Sequence, residues 1–427
     1  MRYIEKDFPI ERLNEIALKE ANAKKPIYQI HKWWARRLRC IFRMIILATF
    51  SPDNISEDEL WRRFYQKTNL EGKIILDPFM GGGTTVIEAL KLGCKVIGVD
   101  IHPVAWFITK KEVEPLDLRK FEEEFKRLEK RVADKIKRYY KTICPECGRE
   151  ADVMYVFWVR KAKCINPNCG YEVPLFNSFR IALKNGLHVV VCPNCREIFE
   201  VTDHKSEAAC PACGTRFIPA RGYARKKHFT CPKCGQKTEI LRAVRQQGKL
   251  PVLEMFAIEY YCPWCKSRGY KRVDVYDIEL YKEAEEEFDR RKDSLLFPRQ
   301  KIPYGYNTRQ AINFFYEYFY QMFNKRQLLC LSMLLEEILK IEDENVREFM
   351  ILTFSDCLNS NNMFCIYDKG YRKIGPLFGL HAYYPKNMPV ENNVWGSHYG
   401  RGTFIKYFKK TLKAKEYTLH PYEIKSK

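Results

Sequence analysis

Six closely spaced cysteine pairs between residues 144 and 265 constrain the fold of this chain more than any other feature of its sequence. The pairs are Cys144/Cys147, Cys164/Cys169, Cys192/Cys195, Cys210/Cys213, Cys231/Cys234 and Cys262/Cys265. Five pairs enclose two residues, a spacing that lets both thiolates face one ion at about 2.3 Å, and a second pair completes the tetrahedron. The sequence therefore predicts three structural zinc ions, each closed by four thiolates, which fold the segment and do not react.

The spacing does not decide which pairs share an ion. The first expectation joins consecutive pairs, so that Cys144/Cys147 meets Cys164/Cys169 and Cys231/Cys234 meets Cys262/Cys265. Nested pairing of the outer pairs is the alternative. Both arrangements make the segment an array of zinc ribbons with little other core.

The remaining cysteines and the N-terminus indicate a reducing compartment. The first ten residues, MRYIEKDFPI, lack the apolar core of a signal peptide. The sequence also has no uncharged apolar run near the ~18 residues that span a bilayer. A cytoplasmic protein without disulfides or membrane segments is expected. Five further cysteines lie in apolar stretches and are expected to be buried thiols: Cys40, Cys94, Cys330, Cys357 and Cys365.

The charge of the chain favours a polyanionic partner. Lysine and arginine number 74 against 53 acids, a formal net charge of +21, and three zinc ions with four thiolates each would leave it at roughly +15. One basic loop suits phosphate contact and plain solvent exposure equally: Arg221, Arg225, Lys226 and Lys227, with Tyr223 and His228 between them. A second basic run is expected to be a solvated helix face: Lys406, Lys409, Lys410, Lys413 and Lys415.

Hydrophobic patterning divides the chain into four predicted parts. Residues 1–116 alternate helical and strand patterns, residues 117–141 form a helical connector, residues 142–275 hold the zinc ribbons, and residues 276–427 are mainly helical. Three helices are predicted over residues 8–23, 31–49 and 324–340, the last with Asn324 as its N-cap.

A glycine cluster near residue 80 separates a predicted strand from a predicted helix. The apolar run 73–76 ends in Asp77 and Pro78, a helical pattern covers 84–92, and a second apolar run, 95–99, closes at Asp100. This order predicts a β-loop-α-β unit, the opening of a doubly wound sheet. A dinucleotide fingerprint would need glycine at position 86, where Val86 stands, and no G-K-[ST] follows, which weakens both nucleotide-binding interpretations.

The loop sequence D-P-F-x-G-x-G-T-T at residues 77–85 resembles the S-adenosylmethionine-binding loop of amino-group DNA methyltransferases. Residues 25–38, the inserted zinc ribbons and residues 323–328 narrow this resemblance to the zinc-ribbon-containing adenine-specific DNA methylase family, whose N-terminal domain is uncharacterised. The implied fold is α/β, a partial Rossmann-like methyltransferase sheet with an inserted zinc-ribbon array and a helical C-terminal region. The implied cofactors are S-adenosylmethionine and three structural zinc ions, and the implied partner is DNA.

The resemblance also implies which residues bind the methyl donor. They are Asp77, Pro78, Phe79, Gly81, Gly83, Thr84, Asp100 and Ile101. Among them Asp100 would accept hydrogen bonds from the ribose hydroxyls, and Ile101 would pack on the adenine. Lys25 and Pro26, with a helix over 31–38, resemble the family element that borders the methionine end of the cofactor.

Four large side chains in that N-terminal element have separate expectations. Trp33 and Trp34 are expected to pack in the core. Arg36 and Arg37 are expected either to contact phosphate or to face solvent.

The sequence lacks the tetrapeptide [D/N/S]-P-P-[Y/F/W] that such enzymes use to hold the target amine, since it contains no Pro-Pro dipeptide. No catalytic residue is therefore assigned. In this order of parts the tetrapeptide follows the inserted segment, beyond Lys427, so a second polypeptide would supply it, or the chain is a truncated product. The preferred hypothesis is a DNA amino-methyltransferase, adenine-N6 before cytosine-N4. The alternatives are a non-catalytic zinc-ribbon DNA-binding subunit and an RNA methyltransferase.

Overall fold

The computed structural model describes residues 1–379 and 382–421. These residues form two compact units. The first unit comprises Met1–Lys126, Ile341–Asp356 and Tyr407–Lys427, and the second comprises Arg127–Lys340 and Cys357–Lys406. Within the described part of the chain, we find no helix with both the length and the apolar composition needed to cross a bilayer.

The helices and strands are numbered here in chain order. The α-helices are α1 (Tyr3–Lys6), α2 (Ile10–Asn22), α3 (Arg39–Phe50), α4 (Glu57–Tyr65), α5 (Thr84–Lys91), α6 (Pro103–Val113), α7 (Leu118–Leu128), α8 (Asp134–Lys137), α9 (Ile240–Gln247), α10 (Val275–Arg291), α11 (Arg309–Asn313), α12 (Lys325–Leu339), α13 (Glu344–Leu358) and α14 (Phe404–Leu419). The strands are β1 (Ile74–Asp77), β2 (Lys95–Gly98), β3 (Lys141–Ile143), β4 (Glu150–Lys163), β5 (Glu172–Pro174), β6 (Arg180–Lys184), β7 (Leu187–Val191), β8 (Ile198–Val201), β9 (Ala208–Ala209), β10 (Arg216–Phe217), β11 (Ala224–Arg225), β12 (His228–Thr230), β13 (Lys237–Glu239), β14 (Leu253–Cys262), β15 (Ser267–Arg272), β16 (Ile366–Asp368), β17 (Lys373–Gly375) and β18 (Val390–Asn392). A π-helical stretch, Glu129–Ala133, lies between α7 and α8.

The first unit contains the predicted β-loop-α-β element. Strands β1 and β2 pair in parallel, from Ile74 opposite Lys95 to Asp77 opposite Gly98, and α5 begins at Thr84 directly after the glycine loop. The prediction of strand, loop, helix and strand is confirmed with shifts of one residue at the ends. The side chains of Ile75 and Val96 pack toward the buried cluster formed with α3, α4 and α5.

The other face of this two-stranded sheet is apolar and exposed. Ile74, Leu76, Ile97 and Val99 are 63%, 61%, 55% and 50% exposed. Parallel strands are ordinarily covered on both faces by helices. In the first unit, the described residues cover only one face of β1 and β2. The exposed apolar face is what a parallel sheet shows when the helices that normally cover it are missing.

The predicted helix over 31–49 is wrong in its first part, because α3 begins only at Arg39. The Glu20 carboxylate accepts hydrogen bonds from the backbone N–H groups of Arg39 and Cys40 at 2.7 and 3.1 Å. A carboxylate at this position satisfies donors that the first turn of a helix leaves open and so marks its start. The helix predicted over 8–23 is present as α2.

The second unit is built on an antiparallel sheet of six strands. Four of them follow the order β15-β14-β4-β18, and β3 and β5 pair with opposite ends of the long strand β4. Tyr155, Phe157 and Val159 of β4 pack with Phe256 of β14 in a buried cluster. Three cysteine pairs lie at the ends of strands of this central sheet, and the other three lie between strands of the smaller antiparallel sheets β6-β7-β8, β9-β10 and β11-β12-β13.

The C-terminal region holds strands as well as the predicted helices. Helix α12 is confirmed, and the Asn324 side chain caps it by accepting a hydrogen bond from the N–H of Gln327 at 2.8 Å. The expectation of a helical region missed β16, β17 and β18, which are three residues each and too short to show periodicity. Strand β18 extends the central sheet, where the Glu391 carboxylate pairs with both Nε and Nη2 of Arg326 at 2.8 Å.

Candidate functional site

All twelve paired cysteines come together in three groups of four, with the Sγ atoms of each group within 4.8 Å of one another. Closest distances between the two pairs of a group are 3.6 to 4.0 Å. A tetrahedral ion with Zn–S bonds of ~2.3 Å requires S–S edges of about 3.8 Å. The donor sets therefore fit zinc, and four thiolates around each position leave no coordination site for a substrate.

Two of the three groups are nested and only one joins consecutive pairs. Cys144/Cys147 meets Cys262/Cys265, Cys164/Cys169 meets Cys231/Cys234, and Cys192/Cys195 meets Cys210/Cys213. The expectation of consecutive pairing is wrong for the outer four pairs. The reason is the antiparallel pairing of β4 with β14, which places the start of one strand beside the end of the other. A cysteine pair before β4 therefore meets the pair at the end of β14.

Each cysteine pair ends in a backbone turn of positive φ. Glycine occupies this position four times, at Gly148, Gly170, Gly214 and Gly235. Arg196 and Lys266 hold the same position with φ of 64° and 52° after the other two pairs. A left-handed residue after the second cysteine is thus a property of all six turns, and glycine adopts it without steric strain.

Two exposed ligands are predisposed to bind as thiolates. The Thr215 hydroxyl, 3.2 Å from the Cys213 sulfur, lowers the pKa of that thiol to about 6. A hydrogen bond from the backbone N–H of Gln236 lowers the pKa of Cys234 to about 7. These hydrogen bonds favour the deprotonated form that zinc binds at Cys213 and Cys234, whereas burial raises the pKa of Cys195 and Cys164 in the same two groups to about 12.

The candidate cofactor loop lies at the carboxyl ends of β1 and β2. The N–H of Val99 donates to the Asp77 carbonyl at 2.9 Å, and the N–H of Met80 donates to the Val99 carbonyl at 2.9 Å. The Asp77 side chain accepts a hydrogen bond from the Phe79 N–H at 3.1 Å. These bonds place Asp77 and the following loop beside Asp100, at the edge where doubly wound sheets bind ligands.

Asp100 ties the second strand to the glycine loop. Its Oδ2 accepts a hydrogen bond from the Gly81 N–H at 2.8 Å, and its Oδ1 accepts one from the His102 N–H at 2.8 Å. A carboxylate has about four acceptor positions, so two remain for other donors. Asp100 therefore shapes the loop and is still able to accept bonds from a ribose.

The glycines of the loop permit contacts that a side chain would block. Gly83 has φ of 74°, and a Cβ there would lie 2.8 Å from Thr109 and 2.9 Å from the Glu112 carboxylate. Gly81 has φ of 51°, and its carbonyl accepts a hydrogen bond from the Thr109 hydroxyl at 3.2 Å. The loop is therefore held closely against α6.

The apolar residues predicted at the cofactor site are accessible. Phe79 is 87% exposed and Ile101 is fully exposed, and Pro78 is exposed beside them. Thr84, by contrast, is buried, and its hydroxyl donates to the Arg37 carbonyl at 3.4 Å. Phe79 and Ile101 are thus accessible beside Asp100 and the glycine loop.

A buried ion pair behind the loop was missed by the sequence analysis. The Arg36 guanidinium lies 2.7 Å from the Glu112 carboxylate and also donates to the Gly82 carbonyl at 2.5 Å. Both side chains are almost completely buried. Burial raises the pKa of Glu112 to about 7, while Arg36 opposes this shift. The expectation that Arg36 meets phosphate or solvent is wrong, because it supports the loop from inside.

Trp33 lies at the glycine loop and not in the core. Its ring lies 3.0 Å from the position that a Cβ on Gly82 would take, and it makes an edge contact with the His102 ring at 5.4 Å. Trp34 is 45% exposed, so the expectation of core packing is wrong for both. The sequence does show several large side chains close together just before α3. Their spacing, however, does not reveal which residues they contact.

Replacing Arg36 by methionine is expected to destabilise the first unit by about 3–5 kcal/mol, since the Glu112 carboxylate would stay buried without its cation. Urea unfolding followed by fluorescence measures the change. The matched control is Arg37→Met, an exposed neighbour, expected to stay within about 0.5 kcal/mol of the original. Adding Glu112→Gln to Arg36→Met should recover part of the loss, and equal destabilisation by both arginine variants would contradict the buried-pair interpretation.

Comparison with known proteins gives two family matches within the first 111 residues. A family described as DNA methylase matches residues 57–111, which include β1, the glycine loop, α5 and β2. A protein family of unknown function, DUF1156, matches residues 7–72. The first match covers the candidate cofactor loop, and the second covers the segment of Trp33 and Arg36 that contacts it.

Two relatives are similar over short stretches. The type II methyltransferase M.MjaII of Methanocaldococcus jannaschii is 41% identical over 49 residues, which are 12% of this chain and 9% of that protein. The type II methyltransferase M.MvaI of Kocuria varians is 38% identical over 52 residues, 12% of each protein. The chain thus spans only about a tenth of the length of these relatives. No solved structure matches the chain.

Proposed function

We propose that this chain is the cofactor-binding and DNA-recognising part of an S-adenosylmethionine-dependent DNA amino-methyltransferase, with adenine N6 as the preferred target. The observation that carries the proposal is the glycine loop tied by Asp100 to the ends of two parallel strands. The similarity of residues 57–111 to DNA methylases supports it. RNA methylation is the competing proposal, because the loop itself does not select the nucleic acid.

The residues of the loop would bind and orient the methyl donor. Asp100 would accept hydrogen bonds from the ribose hydroxyls, while the bond that its carboxylate accepts from the Gly81 N–H keeps the loop in place. Phe79 and Ile101, both exposed, would cover the adenine. When bound, S-adenosylmethionine supplies a methyl group on a sulfonium, a group reactive enough that positioning contributes much of the catalysis.

The acceptor side of the reaction needs residues that this sequence does not contain. The lone pair of an exocyclic amine is delocalised into the base. Acceptors that bind the two amine hydrogens localise this lone pair on nitrogen, so that it can attack the methyl group. The base must also leave the helix stack to reach the methyl donor. We propose that a polypeptide segment carrying [D/N/S]-P-P-[Y/F/W] supplies these acceptors and stacks on the base. The absence of Pro-Pro from the 427 residues motivates this step.

The exposed sheet face indicates where that segment would dock. Ile74, Leu76 and Ile97 on the two parallel strands, with Val99 directly after β2, form an apolar surface, and such strands are stable when further strands and helices cover them. A segment that extends the sheet beside β1 would bring its own strand ends to the edge that holds Asp77. The catalytic tetrapeptide would then reach the methyl donor.

Transfer of labelled methyl groups tests the proposal. The chain is incubated with labelled S-adenosylmethionine and with DNA or RNA, alone and together with the polypeptide whose coding sequence adjoins or continues its own. We expect label in DNA only when a segment with the tetrapeptide is present. Label in RNA alone would support the competing proposal, and DNA binding without any transfer would indicate a non-catalytic subunit.

The docking surface gives a matched pair of variants for the same assay. Ile74→Glu lies three residues before Asp77 on the exposed face and is expected to lower methyl transfer at least about tenfold, because it buries a charge at the interface. Leu18→Glu changes a residue of α2 that is 72% exposed and should have little effect. Unchanged transfer by Ile74→Glu would contradict docking at this face.

A further inference from the structure

The hairpin β11-β12 in the second unit presents a strongly basic groove. Arg221, Arg225, Lys226, His228 and Lys237 line a groove of about 970 Å³. All of these side chains are exposed, and none of the described residues lining the groove is acidic. Some exposed cations elsewhere on this unit do pair with carboxylates, as Arg216 does with Glu207 at 3.1 Å. An acid-free concentration of cations raises the local potential for a polyanion.

The hairpin is anchored rigidly in the core of the unit. A Cβ on Gly222 would lie 2.0 Å from the Phe176 carbonyl oxygen, so only glycine fits this close backbone contact. The N–H of Ala224 donates to the same carbonyl at 2.9 Å, and the Tyr223 ring packs edge-on against Phe179 at 5.3 Å. The basic side chains therefore project from a fixed base.

The tip of the hairpin has Lys226 in a left-handed backbone conformation that glycine or asparagine adopts more easily. Arg225 pairs with His228, so Lys226 and Lys227 form a two-residue turn, and Lys226 has φ of 54°. Glycine, asparagine and aspartate dominate such turns because they tolerate the left-handed region. A lysine in this conformation carries more backbone strain than glycine or asparagine would, and it places a cation at the tip of the hairpin.

An apolar pocket of about 240 Å³ adjoins the groove and shares Asn177 and Lys226 with it. Phe157, Phe256, Tyr384 and Met388 contribute to its walls. Tyr384 is 40% exposed, and its ring lies 4.9 Å from the Lys386 ammonium. The described lining of this pocket also lacks acidic residues.

Polar groups at the shared edge could read or orient a ligand. The Asn387 amide donates to the Asn177 side-chain oxygen at 2.9 Å, so two amide groups meet where the pocket joins the groove. Lys369 lines the same pocket and donates to the Arg180 carbonyl at 2.6 Å. A nucleotide would find three kinds of group at this place. The cations would bind its phosphate, the aromatic side chains would stack on its base, and the amides would form hydrogen bonds with the base.

We propose that this groove and pocket are a DNA-binding site distinct from the cofactor loop, in which the basic hairpin holds the backbone of one strand and the pocket receives an unstacked base. This inference rests on the proposed function for its choice of DNA over other polyanions. The groove supplies sequence-independent attraction, and the pocket adds stacking, which every base provides.

The first test measures binding of a single-stranded DNA oligonucleotide to the zinc-loaded chain as a function of salt. Arg225→Ala with Lys226→Ala is expected to weaken binding at least about tenfold and to reduce the slope of log K against log salt by about 1.4, the value for two phosphate contacts. The matched control is Lys282→Ala with Lys292→Ala, two exposed lysines at and just beyond α10. An equal effect of the control pair, or an unchanged slope, would overturn the proposal.

The second test addresses the pocket. Tyr384→Ala is expected to weaken binding of the single strand about tenfold and binding of the matched duplex much less, because a stacked base is accessible only in the former. Equal losses for both DNAs would overturn the assignment of a base to the pocket. Tighter binding of the matched RNA strand, with the same sensitivity to the variants, would overturn the choice of DNA.

Failure of this inference is distinguishable from failure of the proposed function. S-adenosylmethionine binding by the Arg225 and Lys226 variant should equal that of the original chain, since the groove belongs to the second unit and the loop to the first. If the original chain binds no methyl donor but the Arg225 and Lys226 variant has a lower affinity for DNA, the proposed methyltransferase function is refuted. The assignment of the groove as a DNA-binding site is then supported.

Discussion

Replacing Cys262 by serine is expected to destabilise the folded second unit strongly, whereas replacing Cys213 by serine should loosen only a small extension. The group of Cys262 joins positions 115 and 121 residues apart in the sequence. The group of Cys213 joins positions 15 and 21 residues apart. Closing the longer loops removes more conformational entropy from the unfolded chain, and structural zinc contributes roughly 10–16 kcal/mol of folding free energy in small peptides.

The positions of the two cysteines in the fold increase this contrast. Cys262 is buried at the end of β14, next to Tyr260 in the central sheet. Cys213 is exposed, between the two-residue strands β9 and β10. Loss of the first zinc site removes the link at one end of the two long strands, and loss of the second affects only a short hairpin.

Zinc content and thermal unfolding together measure the difference. Each variant should retain two of the three zinc ions that the cysteine groups predict. Cys262→Ser should lower Tm by more than about 10 °C and Cys213→Ser by only a few degrees, given roughly 2–4 °C per kcal/mol for a unit of this size. Cys330→Ser, a buried thiol outside the groups, should keep three ions. Similar Tm losses for Cys262→Ser and Cys213→Ser would contradict the nested arrangement as the source of stability.

The sequence identified the twelve cysteine ligands correctly, but not which cysteine pairs share an ion. A cysteine pair and the turn after it form within a few residues, so spacing and glycine reveal them. Which pairs meet depends on the register of β4 against β14, strands about a hundred residues apart. Sequence spacing holds little information about such long-range pairing, and the shorter connection was wrongly preferred for the outer groups.

The β-loop-α-β element was predictable because its signals are local. Two apolar runs, a glycine cluster and a helical pattern follow one another within residues 73–100, and parallel pairing of the two strands follows from the helix between them. The prediction that five cysteines outside the pairs are buried is also confirmed, since each lies in an apolar stretch.

The sequence did not reveal which charged side chains are buried. Lys415 was expected on a solvated helix face, yet it is 2% exposed. Its ammonium donates to the carbonyls of Lys111, Glu112 and Glu114, at the end of α6. A cation there satisfies carbonyls that the last turn of a helix leaves without partners. Arg36 behaves similarly behind the glycine loop, and in both cases the partner comes from a distant part of the chain.

Substitution of Asp100 by alanine is expected to lower the affinity for S-adenosylmethionine by about 10²–10⁴-fold. The carboxylate would bind two ribose hydroxyls, and each hydrogen bond to a charged group contributes about 1.5–3 kcal/mol. The same change removes the acceptor of the Gly81 N–H, so the loop also loses the bond that fixes its position. Both effects act on the cofactor site, and neither removes a core side chain.

Calorimetric titration of the chain with S-adenosylmethionine measures this loss, and Asp100→Asn separates its two causes. The asparagine keeps one oxygen to accept the bond from Gly81 or His102 but lacks the charge that favours the ribose, so an intermediate affinity is expected. The control is Asp58→Ala, whose carboxylate is almost fully exposed and lies 4.0 Å from Arg12. Equal affinity of the Asp100→Ala variant and the original chain would remove Asp100 from the site. An original chain that binds no S-adenosylmethionine, alone or with the tetrapeptide-bearing segment, would refute the proposed function itself, because Asp100 and the exposed side chains of Phe79 and Ile101 would then bind no methyl donor.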